Sequence, residues 1–269
     1  MNERPPLRGA LWLVAMVVLI AVIAPYLAPY APYEMQELGT FRSQPPSWAH
    51  PLGTDDLARD VLSRLLHGTR VSLGVAALAV LVALSIGTLV GIAAALAGGP
   101  LDTLLMRLTD AALAFPRTLA LLLLVATTGP LPPQGFGILI GATGWMMSAR
   151  LARAETLRLL ATEYVRGARA VGVPWPRLVR RHLLPGLLPT LLAAATIAFA
   201  AAIPLEAGLS YLGLGVQPPS PSWGNIISQA DSRVVRHWWV VLFPTLAIAI
   251  TVMAANAVAE RLQRRGGER

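Results

Sequence analysis

Few residues of this 269-residue chain are of types that make or break bonds, and those few do not cluster. The four histidines, His50, His67, His182 and His237, stand far apart with no ligand spacing between any two, whereas structural zinc sites need close ligand pairs. Asp55, Asp56 and Asp60 lack the glycine and distal glutamate of an EF-hand calcium loop. No serine has the His/Asp company that nucleophilic attack needs. Cysteine is absent, which excludes disulfides and thiolate chemistry. Lysine is absent too, so all 22 basic residues are Arg. A P-loop needs a lysine after its glycine-rich turn, and a Schiff base needs one as well. The expectation is therefore a chain with no catalytic residues, no metal site and no bound cofactor.

Two kinds of polar feature remain. Glu206 and Asn256 lie in apolar stretches, where ionisable or amide groups are costly and mark a function or a buried hydrogen bond. Glu206 is read as a carboxylate hydrogen-bonded to Ser210 or to a partner, with Pro204 ending the helix just before it. Asn256 is read as an interhelical hydrogen bond. Arg107 and Asp110 are read as a structural pair on one helix face. The other feature is the basic segment 163–185, EYVRGARAVGVPWPRLVRRHLLP.

Composition says what positions them. The chain is 55% hydrophobic and 13% charged, with a mean hydropathy of +0.60. Soluble domains carry about a quarter charged residues, so this is an integral membrane protein. Its apolar runs are continuous, which favours helices over a barrel. Six spans are expected: 10–27, 71–97, 101–128, 136–151, 187–207 and 238–258. The first is read as an uncleaved anchor. Between the first two, residues 31–70 form a polar connection with an amphipathic helix that starts at Thr54 or Asp55. Residues 71–260 make a five-helix core with a loop at 160–185, and 261–269 form a basic tail. Gly87, Gly91, Ala94 and Ala198 are expected to expose a small-residue face that a partner covers.

Six spans put both termini on one side. With that side inside, the external connections hold Arg42, Arg59, Arg64, Arg70, Arg233 and Arg236 against Glu34, Glu37, Asp55, Asp56, Asp60 and Asp231. These cancel, so the whole net charge of +8 falls on the inner side. Basic residues placed this way suit a membrane and argue against nucleic acid.

In the 163–185 loop, Thr162 or Glu163 can start a helix and Gly172 can end it with a left-handed cap. Pro174 and Pro176 suit the start of a second short helix carrying Arg177, Arg180 and Arg181, and Pro185 restarts the chain at the bilayer. Val165, Ala168, Val171 and Leu178 supply an apolar face. Anionic lipid would bind such charge, but it would need neither the fixed Gly and Pro positions nor that face. A docking surface for a partner needs both.

The segment resembles the "EAA" loop of ATP-binding-cassette importer permeases. That loop has a Gly followed twelve and thirteen positions on by Leu-Pro, as Gly172, Leu184 and Pro185 are here. Its Glu-Ala-Ala is Arg166-Gly167-Ala168 in this chain. Residues 51–73, 98–116 and 206–224 are similar to stretches of the dipeptide/oligopeptide/nickel permease family, second (C-type) subunit. Many relatives carry Gly-Arg-Asp where this chain has Ala58-Arg59-Asp60. They often carry Gly-Asp-Gly and an Arg-Asp pair where it has Ala255-Asn256-Ala257 and Ala259-Glu260.

The resemblance implies an all-α, six-span permease subunit of an ATP-driven importer in the bacterial cytoplasmic (inner) membrane, not itself an enzyme. It implies a homologous second permease, two ATP-binding subunits that hold ATP and Mg, an extracytoplasmic solute-binding protein, and lipid contact. Glu163, Tyr164, Ala168, Ala170, Gly172, Arg177, Arg180, Leu184 and Pro185 are then expected to couple to the ATPase. Di- or oligopeptides are the expected cargo, with nickel or another small solute as the alternative. An ion-coupled transporter would need paired carboxylates deep in the spans, and only Glu206 qualifies. A membrane-embedded enzyme would need His, Asp or Glu clustered at one depth.

Overall fold

The computed structural model describes residues 19, 22–24, 26–35, 41–230 and 237–267, the last four by backbone alone. Those residues are mostly helical and contain no strand. Most of the expected first span lies outside them, with Arg4, Arg8, Glu37, Asp231, Arg233 and Arg236.

The first long helix, α1 (Val61–Ala97), sets the frame. Asp60 caps it, its Oδ2 accepting from the Ser63 amide at 2.7 Å and the Ser63 hydroxyl at 2.8 Å. No separate amphipathic helix starts at Thr54 or Asp55, which corrects the sequence expectation. The reason lies in where Asp55 spends its oxygens. Oδ1 accepts from the Leu57 and Arg59 amides, both at 2.9 Å, and Oδ2 holds the guanidinium groups of Arg59 and Arg64. An aspartate that closes a loop in this way cannot also cap a helix. Both arginines donate onward to Gln229 Oε1, at 2.6 and 2.8 Å. At 1.5 Å per residue α1 is about 55 Å long, against ~30 Å of hydrocarbon. Its first turns therefore stand outside the apolar layer, where this ion cluster belongs.

Glycine sets how closely the other helices approach α1. Gly87 and Gly91 of α1 meet α5 (Met146–Leu160). A Cβ on Gly87 would lie 2.6 Å from the Trp145 carbonyl oxygen, and one on Gly91 would run into that of Ala149. On α4 (Pro133–Ala142), Gly141 does the same, 2.6 Å from the Ala79 carbonyl oxygen. Gly137, one turn earlier, faces Val75. These small residues let backbones touch within the chain. Gly87, Gly91 and Ala94 are buried there and Ala198 is half-buried, so the expectation of an exposed small-residue face is corrected.

Two expected spans are broken. Residues 101–128 form α2 (Gly99–Ala114) and α3 (Arg117–Thr128), bent by 82° at Phe115-Pro116. Pro116 has no amide hydrogen to continue a helix. The expected span 136–151 divides into α4 and α5 at 143–145. Further on, α7 (Trp175–Leu178), a π turn (Val179–Leu183) and α8 (Leu184–Tyr211) run as one 37-residue helix. Pro185 and Pro204 sit within this rod, so neither restarts nor ends the helix as expected. The short α9 (Trp223–Ser228) follows, started by a Ser222/Asn225 capping box. The last helix is α10 (Trp238–Gly267). Among the described residues three helices are long and apolar enough to cross a membrane, or four if the bent pair α2–α3 is counted as one span.

Ala58 is fully buried with φ at +54°, a left-handed conformation. That costs a non-glycine residue about 1–2 kcal/mol. Ala58→Gly loses part of the gain to unfolded-chain entropy and should raise stability by about 1 kcal/mol. Thermal unfolding of the purified protein checks this; a lower midpoint would contradict it.

Candidate coupling surface and intramembrane polar residues

The 163–185 loop is a helix pair whose turn is fixed by backbone hydrogen bonds. Helix α6 (Glu163–Ala170) starts after Thr162, as expected. Gly172 has φ at +83°, its amide donates to the Arg169 carbonyl at 2.9 Å, and the Val173 amide donates to that of Ala168 at 3.1 Å. This is the Schellman ending that Gly permits at C′. Pro174 then stands as the N-cap of α7 with Pro176 in its first turn.

The two helices do not form a free pair lying across the membrane surface. α7 leads straight into α8, because the π turn lets the Leu184 amide reach back to the Val179 carbonyl. A π turn absorbs the register shift, and Pro185 falls in the first turn of α8, where its missing amide hydrogen costs little. The loop is thus a rigid extension of a membrane-length helix.

Its faces divide more sharply than the sequence suggested. Val165, Leu178 and Leu183 are fully buried against the rest of the chain. Val171 is 86% exposed, so the expected apolar face of Val165, Ala168, Val171 and Leu178 is corrected: two residues anchor the loop and Val171 points away. Glu163, Tyr164, Ala170, Gly172, Arg177, Arg180 and Pro185 are exposed, while Ala168 and Leu184 are half-buried. The Arg169 guanidinium lies 4.7 Å over the Trp175 ring, tying the two loop helices together on that outward face. The sequence reading assigned no role to this pair.

Ion pairs support the loop from behind. Arg153 of α5 grips Asp102 of α2 with two hydrogen bonds of 2.6 Å, and Arg150 pairs with Asp110. The Asp102 hydrogen bonds push the Arg153 guanidinium above its usual pKa. Asp110 therefore pairs with Arg150 on another helix and not with Arg107 on its own, a correction to the expected pair.

Glu206 is fully buried within α8. Its Oε1 accepts from the Ser210 hydroxyl at 2.7 Å, and the Ser210 oxygen accepts from the Val216 amide at 3.0 Å. The expected Ser210 partner is present. Asn256 is exposed on α10 and makes no hydrogen bond to another helix among the described residues, a further correction.

A family profile described as "Binding-protein-dependent transport system inner membrane component" matches residues 87–266, which include the loop, Glu206 and Asn256. The chain belongs to this family of transport permeases. A second profile, "N-terminal TM domain of oligopeptide transport permease C", matches residues 8–46. This permease is 38% identical to the di/tripeptide transport system permease protein DppC of Pseudomonas aeruginosa over 261 residues, 95% of this chain and 85% of that one. It is 35% identical to the dipeptide transport system permease protein DppC of Bacillus subtilis over 259 residues, 95% of this chain and 79% of that one. Its fold matches the MetNI methionine ABC transporter in inward-facing conformations, with a TM-score of 0.57 and 19% identity over 74% of this chain and 95% of that one. The expected membrane-permease fold and family stand on these findings.

Glu206 generates a test. Glu206→Gln keeps an acceptor for Ser210 and should leave the permease abundant. Glu206→Leu strands the Ser210 hydroxyl, at about 1–3 kcal/mol, and should lower the unfolding midpoint. Normal abundance of Glu206→Gln with abolished transport would mean that the charge itself is used.

Proposed function

We propose that this chain forms half of the translocation pathway of an ATP-driven importer for di- or oligopeptides. It pairs with a homologous permease, receives cargo from an external binding protein, and couples to two ATPase subunits through the 160–185 loop. ATP and Mg belong to those ATPases. The chain lies in the bacterial inner membrane with both termini in the cytoplasm. The observation that carries this reading is the exposed, Schellman-turned loop built without a break onto a membrane-length helix. Such a surface can transmit a push, and nothing else on it offers chemistry. The names of the relatives favour peptides over nickel. Glu206 favours no ion-coupled mechanism, because it has a hydroxyl partner and, among the described residues, no second carboxylate bonded to it.

In this reading Glu163, Tyr164, Ala168, Ala170, Gly172, Arg177 and Arg180 face the ATPase, while Leu184 and Pro185 join the loop to the pathway helix. Gly172 is the sharpest place to test it. No atom lies within 4 Å of where its Cβ would stand, so Gly172→Val adds only backbone strain of about 1–2 kcal/mol and leaves the core untouched. We expect that variant to remain in the membrane, lose ATPase co-purification and lose peptide uptake. Arg180→Ala, one exposed charge, should lose much less. Normal uptake by Gly172→Val would refute the coupling role and return the loop to lipid anchoring.

Topology has its own test, since the chain lacks cysteine. Ser220→Cys should react with impermeant reagent added to intact cells, and Arg181→Cys should react only after the inner face is opened. The reverse pattern would invert the orientation.

A further inference from the structure

The break between α2 and α3 and the break between α4 and α5 meet at one depth, and an arginine stands between them. Gly141 at the end of α4 touches α1 at Ala79 and Val82, and Gly87 of α1 touches Trp145 at the start of α5. The α4–α5 break therefore lies level with residues 82–87, midway along the apolar 71–97 stretch of α1. The α2–α3 break is at the same level: Arg117, the first residue of α3, donates from Nη2 to the Ile140 carbonyl at 2.7 Å and reaches Gly144. Phe115, Pro116, Arg117, Thr143, Gly144 and Met147 line a cavity of about 290 Å³ between the breaks.

This arrangement is too costly to be left facing lipid. Non-helical backbone at membrane depth is tolerated only against protein or water, and a midplane arginine faces a bundle interior or a water-filled cavity. Arg117 has no carboxylate partner among the described residues, and its Nε is buried without a hydrogen bond. One N–H is spent on Ile140, which leaves a permanently charged fork with donors to spare. The α3 and α5 N-termini beside it have no side-chain cap, so their positive dipole ends add to the same field. Discontinuous helices at the midplane are how other transporters present helix ends to an anionic group.

We propose that Arg117 and the two helix breaks form a carboxylate subsite on the translocation pathway, which steadies the C-terminal carboxylate of a peptide as it passes. The cargo class rests on the function proposed above; the anion site does not. Arg117 would hold that group briefly, through one or two charged hydrogen bonds, while the rest of the peptide lies in the cavity mouth.

The assembled transporter, with its ATPases and binding protein, allows two independent readings. In the first, Met147→Cys, 65% exposed at the cavity rim, is labelled with anionic and cationic methanethiosulfonate reagents of similar size. We expect the anionic reagent to react severalfold faster, and Arg117→Gln in the same background to abolish that preference. In the second, uptake of a tripeptide and of its C-terminal amide is compared in wild type, Arg117→Gln and Arg117→Lys. Each variant rate is divided by the wild-type rate for the same peptide. Arg117→Gln should lose about tenfold for the free acid and less than twofold for the amide. Arg117→Lys should retain most of both.

No labelling, or labelling indifferent to charge, overturns the subsite. So does equal loss for both peptides, or loss of the sister permease from Arg117→Gln preparations, which would make Arg117 an assembly residue. Charge-selective labelling in a transporter that carries no peptide would keep the anion site and remove the peptide cargo.

Discussion

Everything in this fold depends on how close other backbones can come to α1. Gly87 and Gly91 admit α5 and Gly141 admits α4 at distances that any side chain would forbid, and Gly137 packs α4 nearly as tightly. In a membrane the apolar surroundings give helices little reason to prefer one another, so close packing has to supply it. Those contacts also set the depth at which α4 gives way to α5. The break between them is fixed by the same glycines that hold the helices in place. The remaining helices build outward: α8, α9 and α10 pack on the far side of α1 around Ile203, Trp223 and Ala202.

Once α1 is fixed, the polar groups sort by depth. The Asp55, Arg59, Arg64 and Gln229 cluster stands at the end of α1 that projects beyond hydrocarbon, and ties loop 41–60 to the end of α9. Arg153 with Asp102 and Arg150 with Asp110 secure α2 to α5 toward the loop end. Between these ionic layers the charged groups that remain in the interior are few. Glu206 Oε1 accepts from a hydroxyl four residues away and Arg117 Nη2 donates to a carbonyl exposed at a helix break, while Glu206 Oε2 and Arg117 Nε are buried without a hydrogen bond.

Much of this was legible in the sequence, and what was not has a physical cause. The Gly172 turn could be read because left-handed backbone leaves a signature in residue type. The Glu206–Ser210 bond could be read because four residues is one helical turn. The breaks in the third and fourth apolar runs were missed, since hydropathy sums side chains and is blind to bends. Phe115-Pro116 and Thr143-Gly144 were the available signals, and only the two breaks give Arg117 its place. The partners of Asp102 and Asp110 lie 51 and 40 residues away, so only the packing of α2 on α5 could reveal them. Asn256 was misread because helical periodicity does not say which side of α10 this chain leaves uncovered. A restart at Pro185 and a stop at Pro204 were expected, but a preceding π turn and the surrounding helices let the rod run through both.

That rod has a mechanical consequence. From Trp175 to Tyr211 it is 37 residues, or about 55 Å at 1.5 Å per residue. One end carries the loop surface and the other carries Glu206 and Ser210, which hold the 213–216 turn. A beam of that length with no joint at the membrane boundary converts a tilt of a few degrees at one end into a sweep of several ångströms at the other. Its compliance is confined to Pro189 and Pro204, where a backbone hydrogen bond is missing. Work done on one side of the bilayer is in this way available on the other without any signal passing from residue to residue.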